Sequence, residues 1–321
     1  MAFNEYLIDK RQRVIWIAET SYGTGGNLAS ALIPGLDCKV EPDFNQNWTD
    51  VLTAGADNRY VQNRIPGPLA YPFKLSFDVT DWRFLKYCGY GVTDGGSVGA
   101  YTHTFAIANT IQSFKMEWAL RHTTSVVFTV TGCVVKNCIL NFSKASGSGT
   151  EGKIRATLDC VAQAVSIGSS VQGSISSITA SPFQWRTFKL TVNTAEITEV
   201  NNGEITIDQN IDEEDSRYCN STLDRAIGEP IPKIHTILGR TNITLKDATF
   251  FTLWAAAVAV GGTNKFEFIR GTNDNLAMTF TNLRIHKAFP PTDFEGPTKA
   301  DLPFSVESFT SLIATDAIAT Y

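Results

Sequence analysis

From Phe73 to Val79 the chain alternates without a break: Phe73, Leu75, Phe77 and Val79 are apolar, and Lys74, Ser76 and Asp78 are polar. A period of two puts one set on each face of a strand, so this stretch reads as a half-buried strand. Similar patterning predicts strands at 13–20, 36–42, 101–107, 114–120, 125–132, 133–142 and 153–165. In the last of these, Ile154, Ala156, Leu158 and Cys160 share one face, while Arg155, Thr157 and Asp159 share the other. The Ser/Gly-rich segment before it reads as the tip of a hairpin. Six more strands are predicted at 183–192, 203–211, 240–245, 265–270, 276–286 and 302–309.

Two helices interrupt this pattern. Thr80 is placed to cap a helix over 81–90, with Asp81 near its positive end and Gly89 at its stop. A second helix is predicted over 246–259. Trp82, Phe84 and Tyr87 in the first, and Phe250, Phe251 and Trp254 in the second, recur at helical spacing. Such aromatics read as the face that packs each helix on its sheet. Residues 43–72 and 212–238 lack periodicity and carry Pro66, Pro68 and Pro72, then Pro230 and Pro232. They read as long loops, and loops beyond ~15 residues in compact domains are commonly functional.

The order of elements occurs twice. Starting at Asn58 and at Asp224, two stretches align without a gap: Arg59 falls on Arg225, Ile65 on Ile231, Pro66 on Pro232, Asp81 on Asp247 and Phe84 on Phe250. A spacing near half the chain indicates two tandem copies of one domain, because solenoid repeats run at roughly 20–50 residues. We therefore expect one domain over 1–170 and a second over 183–321, joined by the uncharged Ser/Gly-rich linker 171–182, the end of a bland stretch that starts at Ser166.

The chain has 321 residues, enough for about two domains. Charged residues make up 18% and the net charge is −5, with no Lys/Arg run, which excludes a basic nucleic-acid groove. The N-terminal stretch lacks a signal-peptide pattern and the longest apolar run is too short to span a bilayer, so synthesis in the cytoplasm without a membrane partner is expected. The six cysteines are scattered. Cys133 and Cys138 are expected on one strand, on opposite faces because their offset is odd, as reduced thiols.

No catalytic constellation, cofactor motif or metal-ligand spacing is legible. "YGTGG" lacks the Lys-Ser/Thr of a phosphate loop and reads as a turn. His103, His122, His235 and His286 are dispersed. The acidic run Asp212, Glu213, Glu214 and Asp215 reads as a solvated or interface-facing loop. A carbohydrate-binding or hydrolytic β-sandwich would need an aromatic cleft with paired carboxylates, and none can be placed. The balance points to a mainly β, self-assembling structural protein.

Four segments carry a resemblance to a known family: "AETSYGTGG", "TVTGCVVKNCILNFSKASGSGTEGKIRATLD", "SPFQWRTFKLTV" and "VNNGEITIDQNI". With the two long loops they resemble the two-domain tail tube (major tail) proteins of tailed bacteriophages. The resemblance implies two β-sandwich or half-barrel domains, each with one flanking helix and one long loop. It implies rings of the chain itself, trimeric and pseudo-hexameric or hexameric, stacked helically into a virion tail tube. That tube would pass DNA and the tape-measure protein without sequence-specific binding, and would meet tail terminator and distal tail proteins. A distal tail or baseplate-hub ring is the alternative. The long loops are expected to carry contacts between subunits, with Asn47, Trp48, Asn58 and Arg59 as candidates in the first and Asp212, Glu213, Glu214, Asp215 and Arg225 in the second.

Overall fold

The computed structural model describes residues 12–51, 63–120, 126–144, 152–172, 178–212, 228–246, 249–256, 258–287 and 298–321. The first half contributes β1 (Gln12–Ala18), β2 (Leu36–Pro42), β3 (Asn45–Val51), β4 (Asn63–Asp78), β5 (Tyr90–Ser97), β6 (Ala100–Ile107), β7 (Phe114–Leu120), β8 (Val126–Ser143), β9 (Arg155–Ala162) and β10 (Ala164–Gly168). The second contributes β11 (Phe188–Val192), β12 (Ala195–Ile197), β13 (Val200–Asp208), β14 (Thr236–Thr244), helix α1 (Thr249–Ala255), β15 (Asn264–Gly271), β16 (Asp274–Ile285) and β17 (Lys299–Asp316). A 3-10 helix, Arg83–Cys88, follows β4. The fold is mainly β, and all strand pairs are antiparallel within one large network.

Strand β8 organises the first half. Its opening residues pair with β7 and β10, and its later residues pair with β9 and β13. The change of partners falls at Gly132, where φ is 61° and an added Cβ would lie 2.7 Å from Gln163 Cβ. Only glycine fits that bend without strain. Beyond it, the ladder to β9 shifts between Val135 and Asn137, a β-bulge at Lys136. The extra residue restores the phase of the alternation. Cys133 and Cys138 therefore both face the core, fully buried, and the expectation of opposite faces is corrected. The five described cysteines are free thiols.

The two halves repeat one pairing scheme. In the first, β2, β4, β9 and the end of β8 lie side by side; in the second, β13, β14, the start of β17 and the end of β16 do. The registers correspond: Glu41 faces Lys74 as Glu204 faces Arg240, and Phe73 faces Cys160 as Gly239 faces Phe304. A shift interrupts both β2–β4, between Leu36 and Lys39, and β13–β14, between Val200 and Asn202. A second layer also repeats, with β1, β7, β8 and β10 matched by β11, β15, β16 and the end of β17. The hairpin β5–β6 has no counterpart among the described residues.

One apolar core runs through both halves. Trp82, fully buried, packs on Phe183 at 4.9 Å and Phe268 at 5.3 Å, and Phe142 packs on Phe188 at 4.3 Å. Burying such side chains is worth about 1.5–3 kcal/mol each. The 3-10 helix turns Trp82, Phe84 and Tyr87 into this core, as their spacing predicts. Its start differs from expectation. Asp81 accepts from the Arg83 backbone N–H at 3.1 Å, while the Thr80 hydroxyl is buried without a partner.

Several boundaries moved. Residues 43–72, read as a loop, contain β3 and the first part of β4, paired as a hairpin from Asn45–Ala70 to Val51–Asn63. Pro66 and Pro68 masked the strand signal, yet proline is tolerated on such edge hairpins. The bland stretch from Ser166 opens as β10, held to β8. The strand expected from Phe183 begins at Phe188, after a 3-10 turn at Trp185–Thr187. In the described residues α1 is shorter than the predicted 246–259. No described helix is long and apolar enough to cross a membrane.

Candidate functional site

Alternation builds a broad polar face on the shared sheet. Apolar residues of β4, β9, β8, β13, β14 and β17 point into the core. Their neighbours in sequence point outward and pair by charge, along a strand or across it. Lys39 bonds Glu41, Lys74 lies 3.6 Å from Asp159, and Arg155 lies 3.0 Å from Asp78 and 3.2 Å from Asp37. Lys153 also reaches Asp78, at 3.3 Å, and Arg284 reaches Glu307 at 2.5 Å. The ammonium of Lys39 holds the Glu41 carboxyl below the usual range, and Glu307 holds the Arg284 guanidinium above its own. The exposed pairs among them, such as Lys39–Glu41 and Arg284–Glu307, are screened by solvent and add little to stability, whereas Asp78 is buried. Their larger effect is that cations on this face already sit beside carboxylates. A groove of about 750 Å³ crosses the face where the halves meet, lined in part by Asp78, Arg155, Glu204 and Arg240.

The halves meet edge to edge. Asn202–Asp208 of β13 pairs with Ser143–Asn137 of β8, so eight strands, from β2 to the end of β16, form one sheet. Phe142 lies over Gly203, where an added Cβ would come within 2.4 Å of its ring; Phe304 lies over Gly239 in the same way, at 2.2 Å. Buried Gln209 crosses the joint and donates its amide to the carbonyls of Tyr87, at 3.0 Å, and Val135, at 2.6 Å. His235 lies 3.3 Å from the Cys88 carbonyl through Nε2 and stands edge-on to Tyr90. Burial pushes the His235 pKa down.

A second junction lies in the outer layer. Strand β6 pairs with the end of β17, from Phe105–Leu312 to Tyr101–Asp316. There fully buried His103 sits between Asp94, at 2.7 Å, and Asp316, at 3.3 Å, and stacks on Tyr321 at 3.5 Å.

The loop "YGTGG" folds around a carboxylate of its own. Buried Glu19 accepts from the N–H groups of Gly23, at 3.0 Å, and Gly132, at 2.9 Å. That occupies the Gly23 N–H, a donor a phosphate would use. Among the described residues no cluster of three or more His, Cys, Asp or Glu is arranged for a metal ion.

Of the predicted contact residues, Asn47 and Trp48 lie on β3, the latter paired through its backbone with Pro66. Asp212 bridges to Ile231 and forms an ion pair with Lys233. Asn58, Arg59, Glu213, Glu214, Asp215 and Arg225 lie outside the described residues. The structure adds Gln209, His235 and Gly203, which sequence reading missed. A signal existed: Glu41 and Asn45-Gln46-Asn47 are echoed by Glu204 and Asp208-Gln209-Asn210 at one constant offset.

The comparisons with known proteins agree with this architecture. No curated protein matches the chain. A family model described as "Phage tail tube protein" matches residues 10–308, nearly the whole length. The chain belongs to the phage tail tube protein family and is a structural component of the virion tail.

Proposed function

We propose that residues 1–170 and 183–321 are two copies of one tube domain, that three chains close each ring, and that stacked rings form a conduit for DNA. The observation that carries this reading is the β8–β13 ladder, which places two equivalent four-stranded sheets side by side in one chain. A ring forms when one patch repeatedly meets its complement through a closing rotation. A chain that supplies two successive positions needs half as many copies as one that supplies a single position. The joined sheets then form the channel wall, with their polar face toward the lumen.

The chemistry of that face suits a conduit. A wall of unpaired Lys and Arg would displace counterions from DNA and hold it. Here Lys39, Lys74, Lys153, Arg155 and Arg284 sit beside carboxylates. The hairpin β3–β4 and the segment around Asp212 reach to neighbouring subunits, and shortening either should leave a folded chain that assembles poorly. The tape-measure protein occupies the lumen before DNA, and terminator and distal tail proteins close the ends. The protein acts without catalysis, cofactor or metal, and is made in the host cytoplasm. Negative-stain imaging of the purified chain tests the reading. Long hollow tubes support it, whereas single rings favour a hub component and monomers reject both.

A further inference from the structure

The outward face of β1 and β7 is buried, and it holds a pair of charges. Val14, Trp16, Met116 and Trp118 point into the shared core, so by alternation Arg13, Ile15, Glu117 and Ala119 point the other way. Such a face ordinarily meets water. Here all four residues are buried, with Glu117 0% and Arg13 6% exposed, and Ile15 and Ala119 lie outside the main core. Ile15 stands opposite Glu117 and Arg13 opposite Ala119, which makes Arg13 and Glu117 diagonal neighbours on adjacent strands. The guanidinium and the carboxylate approach to 3.7 Å. A buried ion pair is a weak source of stability, because desolvation offsets the attraction. Neither the polar wall nor the joint between the halves makes use of this one.

Both side chains direct hydrogen bonds to one residue far away in sequence. Glu117 Oε2 accepts from the Gln172 N–H at 3.0 Å, and the Arg13 guanidinium donates to the Gln172 carbonyl at 2.6 Å. Gln172 itself is exposed, so the pair grips its main chain and leaves its side chain outside. Gln172 stands near the start of the uncharged connection between the halves. The far end is held as well. Arg270 donates to the Ser181 carbonyl, and its guanidinium lies 4.5 Å from the centre of the Phe183 ring. Phe183 is buried; it donates its N–H to the Val79 carbonyl and accepts from the Ile154 N–H, each at 2.9 Å.

We propose that the connection between the halves is a strap fastened at both ends, not a flexible tether, and that Arg13 and Glu117 are the main-chain clamp at its first end. An acceptor and a donor set to the N–H and C=O of one residue hold that residue whatever its side chain is. The Ser/Gly-rich composition that reads as slack is therefore compatible with a fixed path, because the fixing groups lie on β1, β7 and β15. The proposal concerns the single chain and holds whether or not rings form.

Amide exchange in the native chain tests it. A peptide N–H held by a buried carboxylate should exchange at least about tenfold more slowly than an open linker amide. Glu117→Gln keeps the shape and removes the charge. Exchange at Gln172 should then speed up about tenfold, while amides of β1 and β7 keep their protection. Gln172→Pro leaves the layer untouched and deletes the donated N–H. Proteinase K should cut it between 171 and 182 about tenfold faster than wild type, with the two fragments still eluting together, because they share one core. Wild-type Gln172 exchanging at the open rate overturns the proposal, as does a Gln172→Pro chain cut no faster than wild type. If Glu117→Gln does not fold, those two readouts decide. Exchange that rises equally at Gln172, β1 and β7 in Glu117→Gln would mean that Glu117 supports the layer alone, and would overturn the clamp.

Discussion

The two helical segments occupy matching places after β4 and β14, yet their surroundings differ. In the first half Phe84, Leu85, Tyr87 and Cys88 are all buried. In the second, among the described residues, only Phe250 is buried, and Phe251, Leu253 and Trp254 remain partly exposed. Apolar residues are kept at both sites, but cover is supplied at one. The first helix is roofed by the second half, through Phe268 on Trp82 and through Gln209 and His235. The second helix has no such roof among the described residues. An apolar surface that the single chain leaves partly open is one that contact between copies can cover.

Paired substitutions test that difference most strongly. Leu85→Ala removes a fully buried side chain and should cost about 2–5 kcal/mol in urea unfolding. Phe251→Ala, at the equivalent place, should cost the monomer much less and instead reduce the fraction that sediments as tubes. Equal losses at both sites would erase the distinction. Next in size, Gly203→Ala forces a Cβ into the Phe142 ring at the joint and should destabilise by about 1–3 kcal/mol. Calorimetry should show one cooperative transition moving to lower temperature, since the core is shared. Two separate transitions would mean that the halves unfold independently.

The pH dependence of the joint comes third. Burial holds the folded His235 pKa below its ordinary value, so the unfolded chain takes up the proton first. The His235 contribution to stability is present above about pH 6.5 and is lost as pH falls below it. Urea midpoints measured from pH 7.5 to 5 should decline less in His235→Gln than in wild type, and parallel curves would contradict this. The smallest stability effect is expected on the polar face. Glu41→Gln/Asp159→Asn should leave the urea midpoint nearly unchanged, because solvent screens these pairs, while freeing Lys39 and Lys74 to retain duplex DNA at low salt. Absence of any added retention would remove the electrostatic argument for the wall.

Much of this fold was legible in the sequence, because strand alternation and helical spacing are local. Phe73–Val79 and the hairpin strands 133–142 and 153–165 follow from period two alone. The failures were also physical. The bulge at Lys136 adds one residue, which overturned the facing of Cys133 and Cys138. Pro66 and Pro68 hid the first part of β4, and the serines and glycines after Val165 hid β10. The joint was illegible because β8 and β13 are far apart in sequence and no local pattern specifies their pairing. Only the repeated Gln-Asn after β2 and β13 pointed to it, and its meaning needed the Gln209 contacts.

The number of chains in a ring tests the central claim most directly. Cryo-electron microscopy of assembled tubes should show three chains per ring. Each should contribute two adjacent positions to the wall, joined within the chain by the β8–β13 ladder. Six chains per ring, with one half of each building the wall and the other set outside it, would contradict that claim.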